Sequence, residues 1–156
     1  SAWCGYTYAW LANMKARVFD GDAASKALHI FIKAFCAPKS FHLNGDQTGK
    51  GYSSFKYRPF TLEGNFACAA AIQEMLLQSH TGVIRVFPAL PESWKNASFK
   101  KMRAMGGFLV NADYSDGKIA RIEIYSENKG ELRLFNPFTQ KIEIKQMIPG
   151  ETFILE

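Results

Sequence analysis

The sequence predicts an α+β chain in which a helical segment is followed by an all-β segment. Three observations carry this reading. Up to about residue 79, apolar side chains recur at helical spacing; from Gly82 onward they alternate with a period of two. The breaks between the alternating runs hold turn residues: Gly106-Gly107, Asp116-Gly117, Asn128-Lys129-Gly130 and Pro149-Gly150.

From Trp3 to Val18, the residues Trp3, Thr7, Trp10, Met14 and Val18 form a helical stripe widened by Tyr6 and Leu11. This places Trp3 and Trp10 in a core. Asp20-Gly21-Asp22 reads as a stop and a restart. Gly21 takes a left-handed conformation there and Asp22 caps a second helix from about Ala23 to Phe35. Its inner face is Ala24, Leu28, Phe31, Ile32 and Phe35, and its outer face includes His29. Arg17 and Asp20 are expected to pair across the turn.

Pro38 to Glu63 is a long connection of a kind that often carries function. Asn65 then reads as the cap of a third helix, roughly Phe66 to Ser79, apolar on nearly every side. Such a helix expects neighbours all round, so partners for it are expected on polypeptide preceding Ser1. Otherwise the bare helical faces offer a route to self-association. Beyond Gly82, seven strands are expected: Val83–Phe87, Phe99–Ala104, Phe108–Tyr114, Lys118–Ser126, Glu131–Asn136, Lys141–Gln146 and Thr152–Leu155. Short strands at regular spacing indicate an antiparallel, sandwich-like arrangement. Ser115-Asp116-Gly117 marks the clearest hairpin.

Composition narrows the function classes. Hydrophobic residues make up 47% of the 156 and aromatics 14%, enough for a packed core. The net charge of +5 raises the question of an acidic partner. Its carriers are dispersed and alternate with acids, as in Arg121-Ile122-Glu123 and Lys141-Ile142-Glu143-Ile144-Lys145, the pattern of a solvated sheet face. No nucleic-acid partner and no membrane partner are expected. Cys4, Cys36 and Cys68 are far apart, without metal-ligand spacing, and read as buried free thiols, with one disulfide as the unsupported alternative. Neither a metal nor a cofactor is implied.

Nucleophile elbows, phosphate-binding glycine loops and metalloprotease helices are absent, and His29, His42 and His80 stand alone. The polar group that stands out is Tyr57-Arg58-Pro59-Phe60-Thr61-Leu62-Glu63-Gly64-Asn65. It sets a carboxylate just before an apolar helix, followed by a glycine that leaves room for a ligand. The plainer account is a carboxylate complementing the helix dipole.

Two stretches shift that balance. Gly5-Tyr6-Thr7-Tyr8-Ala9-Trp10 with Ala16-Arg17-Val18-Phe19-Asp20-Gly21-Asp22, and then Pro59-Phe60-Thr61-Leu62-Glu63-Gly64-Asn65-Phe66, resemble glycoside hydrolase family 95, the α-L-fucosidase-like enzymes. The likeness continues through Glu74–His80, Pro88-Ala89-Leu90-Pro91, Trp94, Arg103–Phe108 and Asp116-Gly117-Lys118.

The resemblance implies the last helices of an (α/α)6 barrel over residues 1–82 and a C-terminal β domain over 83–156. It also implies inverting hydrolysis of terminal α-L-fucosides or similar sugars. In that scheme a glutamic acid protonates the leaving oxygen, and an asparagine polarised by an aspartate activates water. Of these, only the aspartate's position falls in this chain, on Glu63. Tyr57, Arg58 and Asn65 fall where sugar contacts are expected. The chain departs from the family pattern at Glu63 (aspartate), Tyr57 (histidine), Arg58 (proline), Ala67 (glycine) and Tyr8 (arginine). The resemblance further implies an oligosaccharide or glycan as partner and an extracellular or periplasmic setting. The alternative is a non-catalytic sugar-binding or structural module of a degenerate homologue.

Overall fold

The structure is a computed structural model that describes all 156 residues, Ser1–Glu156. The chain is α+β, with three helices followed by antiparallel strands. It divides into two compact units: Ser1–Met75 with Ala89–Pro91, and Leu76–Pro88 with Glu92–Glu156.

In the first unit, α1 (Gly5–Arg17) and α2 (Gly21–Phe35) pack on each other. The face that α1 buries is Gly5, Ala9, Ala12 and Ala16. This reverses the expected stripe. Trp10, Met14 and Val18 are 57%, 53% and 66% exposed, and Trp3 and Tyr6 are exposed as well. The two sets share one period but are offset by two residues, about 200° around a helix, so they lie on opposite faces. Alanines win the interface because they let the helix backbones approach closely. Against them α2 sets Leu28, Phe31 and Phe35, while Ile32, expected inside, is 52% exposed.

The turn between the helices also differs from expectation. The left-handed residue is Phe19, at φ 63°, and the cap of α2 is Asp20, whose Oδ1 accepts from Ala23 N–H at 3.0 Å. Gly21 opens α2, and its lack of a Cβ has a packing reason. A Cβ there would stand 2.4 Å from the Leu90 carbonyl oxygen. Asp20 pairs with Lys15 at 3.3 Å, and Arg17 reaches across to Glu74 in a bidentate bond of 2.6 and 2.7 Å. The expected Arg17–Asp20 pair gives way because Glu74 presents both oxygens to the guanidinium fork.

The third helix, α3, runs Leu62–Leu76. It starts four residues before the expected position, so Asn65 lies inside its first turn and does not cap it. It buries Gly64, Ala71 and Met75, whereas Phe66 is 67% exposed, and Leu62 and Ile72 are exposed too. It ends before Ser79 because Leu77–Gln78 (β1) pairs with Arg85–Val86 (β2).

The second unit adds β3 (Ala97–Ala104), β4 (Phe108–Ser115), β5 (Lys118–Ser126), β6 (Gly130–Asn136), β7 (Lys141–Met147) and β8 (Thr152–Leu155). One sheet has the order β3-β4-β5-β8, and β6 pairs with β7. Asp116 (φ 51°) and Gly117 (φ 78°) make the expected β4–β5 turn. Val110, Ile122, Ile124, Leu132 and Leu134 are fully buried. Ile122 lies inside between Arg121 and Glu123, as the alternation predicts. In β7 the alternation is inverted, with Ile142 and Ile144 exposed at 45% and 58%. Lys145 instead lies on the face shared with Leu132, bonding Glu151 at 2.9 Å and covering the Phe153 ring at 5.2 Å. No helix is long and apolar enough to cross a membrane. The three cysteines are free and half-buried.

Candidate functional site

Proline keeps the residue before it out of the helical region, so Arg58-Pro59 enters α3 extended. An isolated bridge joins Phe60 to Leu43, and the helix begins two residues later. Glu63 therefore sits in the first turn of α3, where the unpaired N–H groups favour an anion, and it is exposed. Tyr57 is 46% exposed with its ring 5.4 Å from that of Phe55, and Arg58 is exposed. Asn65 turns the other way. Its Oδ1 accepts from His42 N–H at 2.9 Å and its Nδ2 donates to the Ser40 carbonyl at 2.7 Å.

The residue that organises this corner is His42, which the sequence presents only as an isolated histidine. It is 0% exposed, and its ring stacks on Phe31 with centroids 5.3 Å apart. Nδ1–H donates to the Thr61 carbonyl at 2.8 Å, with the Thr61 hydroxyl at the same distance. That hydroxyl donates in turn to Asn44 Oδ1 at 3.4 Å, and Thr61 N–H donates to the His42 carbonyl at 3.3 Å. Nε2 is buried without a hydrogen-bond partner. This fits a neutral ring whose proton is on Nδ1, the tautomer the network assigns. Burial pushes the imidazole below its ordinary value. The Thr61 carbonyl and the Glu63 carboxylate act in the opposite direction.

Two glycines make room for this ring. A Cβ on Gly64 would lie 2.4 Å from Nδ1, and a Cβ on Gly5 would lie 2.3 Å from Nε2. Thus His42 is held between the first turns of α1 and α3. The small residues at those two helix starts were the available signal, and no spacing rule linked them to His42.

The rest of the long loop is tied by Asp46. Its Oδ1 accepts from Thr48 N–H at 2.8 Å and the Thr48 hydroxyl at 2.6 Å, and its Oδ2 accepts from Tyr52 N–H at 3.0 Å. Burial raises the carboxyl, but the hydrogen bonds from Thr48, Tyr52 and Gly49 outweigh it and hold it below the ordinary 3.8. A depressed pKa contributes stability that is present above the ordinary value and is lost as pH falls below it. Amide exchange should therefore find Thr48 and Tyr52 protected at neutral pH and losing protection as pH falls below 3.8. In Asp46→Ala, both amides should lack protection at every pH.

The chemistry on this corner is that of one exposed carboxylate on a rigidly seated helix end. No group of three His, Cys, Asp or Glu side chains is placed to hold a metal ion.

Comparison with known proteins gives this corner its context. The family model described as glycosyl hydrolase family 95 catalytic domain matches residues 1–76, and the one described as glycoside hydrolase family 95, C-terminal domain, matches residues 78–151. Alpha-L-fucosidase 2 of Arabidopsis thaliana is 28% identical over 156 residues, a match covering 97% of this chain and 18% of that protein. The chain thus spans less than a fifth of the length of the curated relative it matches. With two models of one family matching residues 1–76 and 78–151, the chain belongs to glycoside hydrolase family 95.

Proposed function

We propose that the complete protein carrying this chain is a glycoside hydrolase that removes terminal α-L-fucose or a similar sugar from a glycan with inversion of configuration. The observation that carries the reading is the place of Glu63. It is an exposed carboxylate in the first turn of a helix that falls within the catalytic-domain match. In the family scheme, a carboxylate at that point polarises the asparagine that activates water. The acid and the asparagine have no counterpart in this chain, and we ascribe no turnover to residues 1–156 alone.

The same reading accounts for the bare helical faces. Trp10, Asn13, Met14, Arg17 and Val18 line a groove of about 520 Å³ on α1. Phe66 and Ile72 stand exposed on α3. Apolar surface of this extent marks a contact. We assign it to neighbouring helices of an (α/α)6 barrel, with the β unit as a sandwich-like C-terminal domain. In the isolated chain these faces would favour self-association. An extracellular or periplasmic setting belongs to the same proposal.

A second reading, a non-catalytic sugar-binding or structural module, draws on Asn65, whose amide is committed at both ends to the loop backbone. Incubating the complete protein with terminal α-L-fucosides and α-L-galactosides, and following the released anomer by proton NMR, separates the two. Release of the inverted β-anomer is expected. Absence of release from every glycoside would overturn the hydrolase reading in favour of the module.

A further inference from the structure

We infer that His42 is a positioning residue for Glu63: it fixes the backbone from which the Glu63 carboxylate is aimed. This rests on the hydrolase reading above and assigns a role to a residue outside it. Glu63 is bracketed by Thr61 and Asn65, and His42 bonds to both. It grips Thr61 twice, ring Nδ1–H to the carbonyl at 2.8 Å and main-chain oxygen from the N–H at 3.3 Å. Its own N–H reaches Asn65 Oδ1 at 2.9 Å. The clasp therefore spans the residues on both sides of the carboxylate.

The clasp itself is enclosed. Its ring is fully buried, lies on Phe31 and is closed in by the backbones of Gly5 and Gly64. Glu63, by contrast, is exposed, and no other part of this chain is seen to aim it. An exposed side chain of three rotatable bonds keeps a useful direction only if its Cα is fixed, and angstrom-scale errors at a reacting centre cost about a hundredfold in rate. A buried polar network with this many ties to one helix turn also exceeds what capping requires. The unpartnered Nε2 fits the same account. The ring uses one nitrogen as a donor, and the other faces Gly5, so its orientation is set by Nδ1 alone.

The test uses two variants of the complete protein, assayed on the glycoside it turns over best, with folding of each verified by circular dichroism. Asparagine places an amide donor near the position of Nδ1, whereas glutamine carries it one methylene farther out. Glutamine, however, fills more of the ring's volume. If His42 positions Glu63, His42→Asn keeps kcat within about fivefold, while His42→Gln loses about a hundredfold with little change in KM. If His42 only fills space, the order reverses, and that result overturns the inference.

Coupling is read in a Glu63→Gln background. There the His42→Gln substitution should change kcat no further, since the group it aims is gone. Equal additional loss would overturn the positioning role alone. Full turnover by Glu63→Gln would overturn the hydrolase role of Glu63 and this inference with it, so the two failures are told apart.

Discussion

Gly64→Ala should destabilise the helical unit by about 3 kcal/mol, the upper end of what overpacking a core costs. A Cβ on Gly64 stands 2.4 Å from His42 Nδ1, 2.5 Å from Cγ and 2.8 Å from Cε1. The ring has nowhere to retreat. It is stacked on Phe31, and the backbone of Gly5 closes the other side. Alanine is the better helix former by about 1 kcal/mol, so the clash must outweigh a favourable propensity change. Equilibrium unfolding in urea, followed by the helical signal, measures the difference. Gly130→Ala is the control: nothing lies within 4 Å of a Cβ there, and the change should stay within about 0.5 kcal/mol. In a His42→Ala background the added methyl finds space, and the Gly64→Ala cost should shrink by at least about 1 kcal/mol. A Gly64→Ala protein as stable as the Gly130→Ala control would contradict the packing of His42 between the two helix starts.

This dependence of the corner on glycine explains what the sequence could and could not announce. The change from helix to strand near residue 80 is a matter of period, and period is visible in a string of letters. The Asp116-Gly117 hairpin is equally local, because only residues tolerant of positive φ fit it. The choice of buried face on α1 is not local. Large apolar residues and alanines repeat at the same spacing, and size alone favours Trp10 and Met14 for the core. The partner helix decides otherwise, since Phe31 and Phe35 on α2 need small residues opposite. The isoleucines of β7 fail in the same way. Lys145 is drawn to Glu151 and the Phe153 ring, partners that no alternation rule can foresee.

The candidate site divides along the same line. Glu63 stands out as a candidate from contiguous residues, a carboxylate beside a glycine at the start of an apolar helix, and the family resemblance singles it out. The structure seats it inside the first turn of α3 and not before it. Its clasp was not legible. His42 reaches Thr61 across 19 positions and Asn65 across 23, through one ring nitrogen, its main-chain carbonyl and its main-chain N–H. Nothing at residue 42 itself marks it. Asn65 reads as a cap because an asparagine just before an apolar run favours that role. Its Oδ1 does accept a backbone N–H, but that of His42 and not of its own helix.

On the proposed hydrolase reading, Glu63→Gln in the complete protein should lower kcat by about 10² to 10⁴ while leaving the fold intact. The amide keeps the shape of the carboxylate but removes its charge and can present a donor where an acceptor is required. An exposed carboxylate in a first helical turn contributes only about 0.3–1 kcal/mol to stability, so unfolding cannot account for a loss of that size. Glu63→Asp makes the argument sharper. It restores the residue type of the family pattern and retains the charge, yet it withdraws the carboxylate by one methylene from a backbone that the His42 clasp holds still. If the active geometry of this protein is built around glutamate, Glu63→Asp should also lose activity, by about a hundredfold and less than Glu63→Gln. KM should change little in either variant, because in the proposed scheme the carboxylate acts on the water-activating group and not on the bound sugar. Steady-state rates with unchanged thermal midpoints would bear this out. Undiminished turnover in Glu63→Gln would leave the carboxylate a helix-end ornament, and the family's chemistry in this protein would have to rest on other residues.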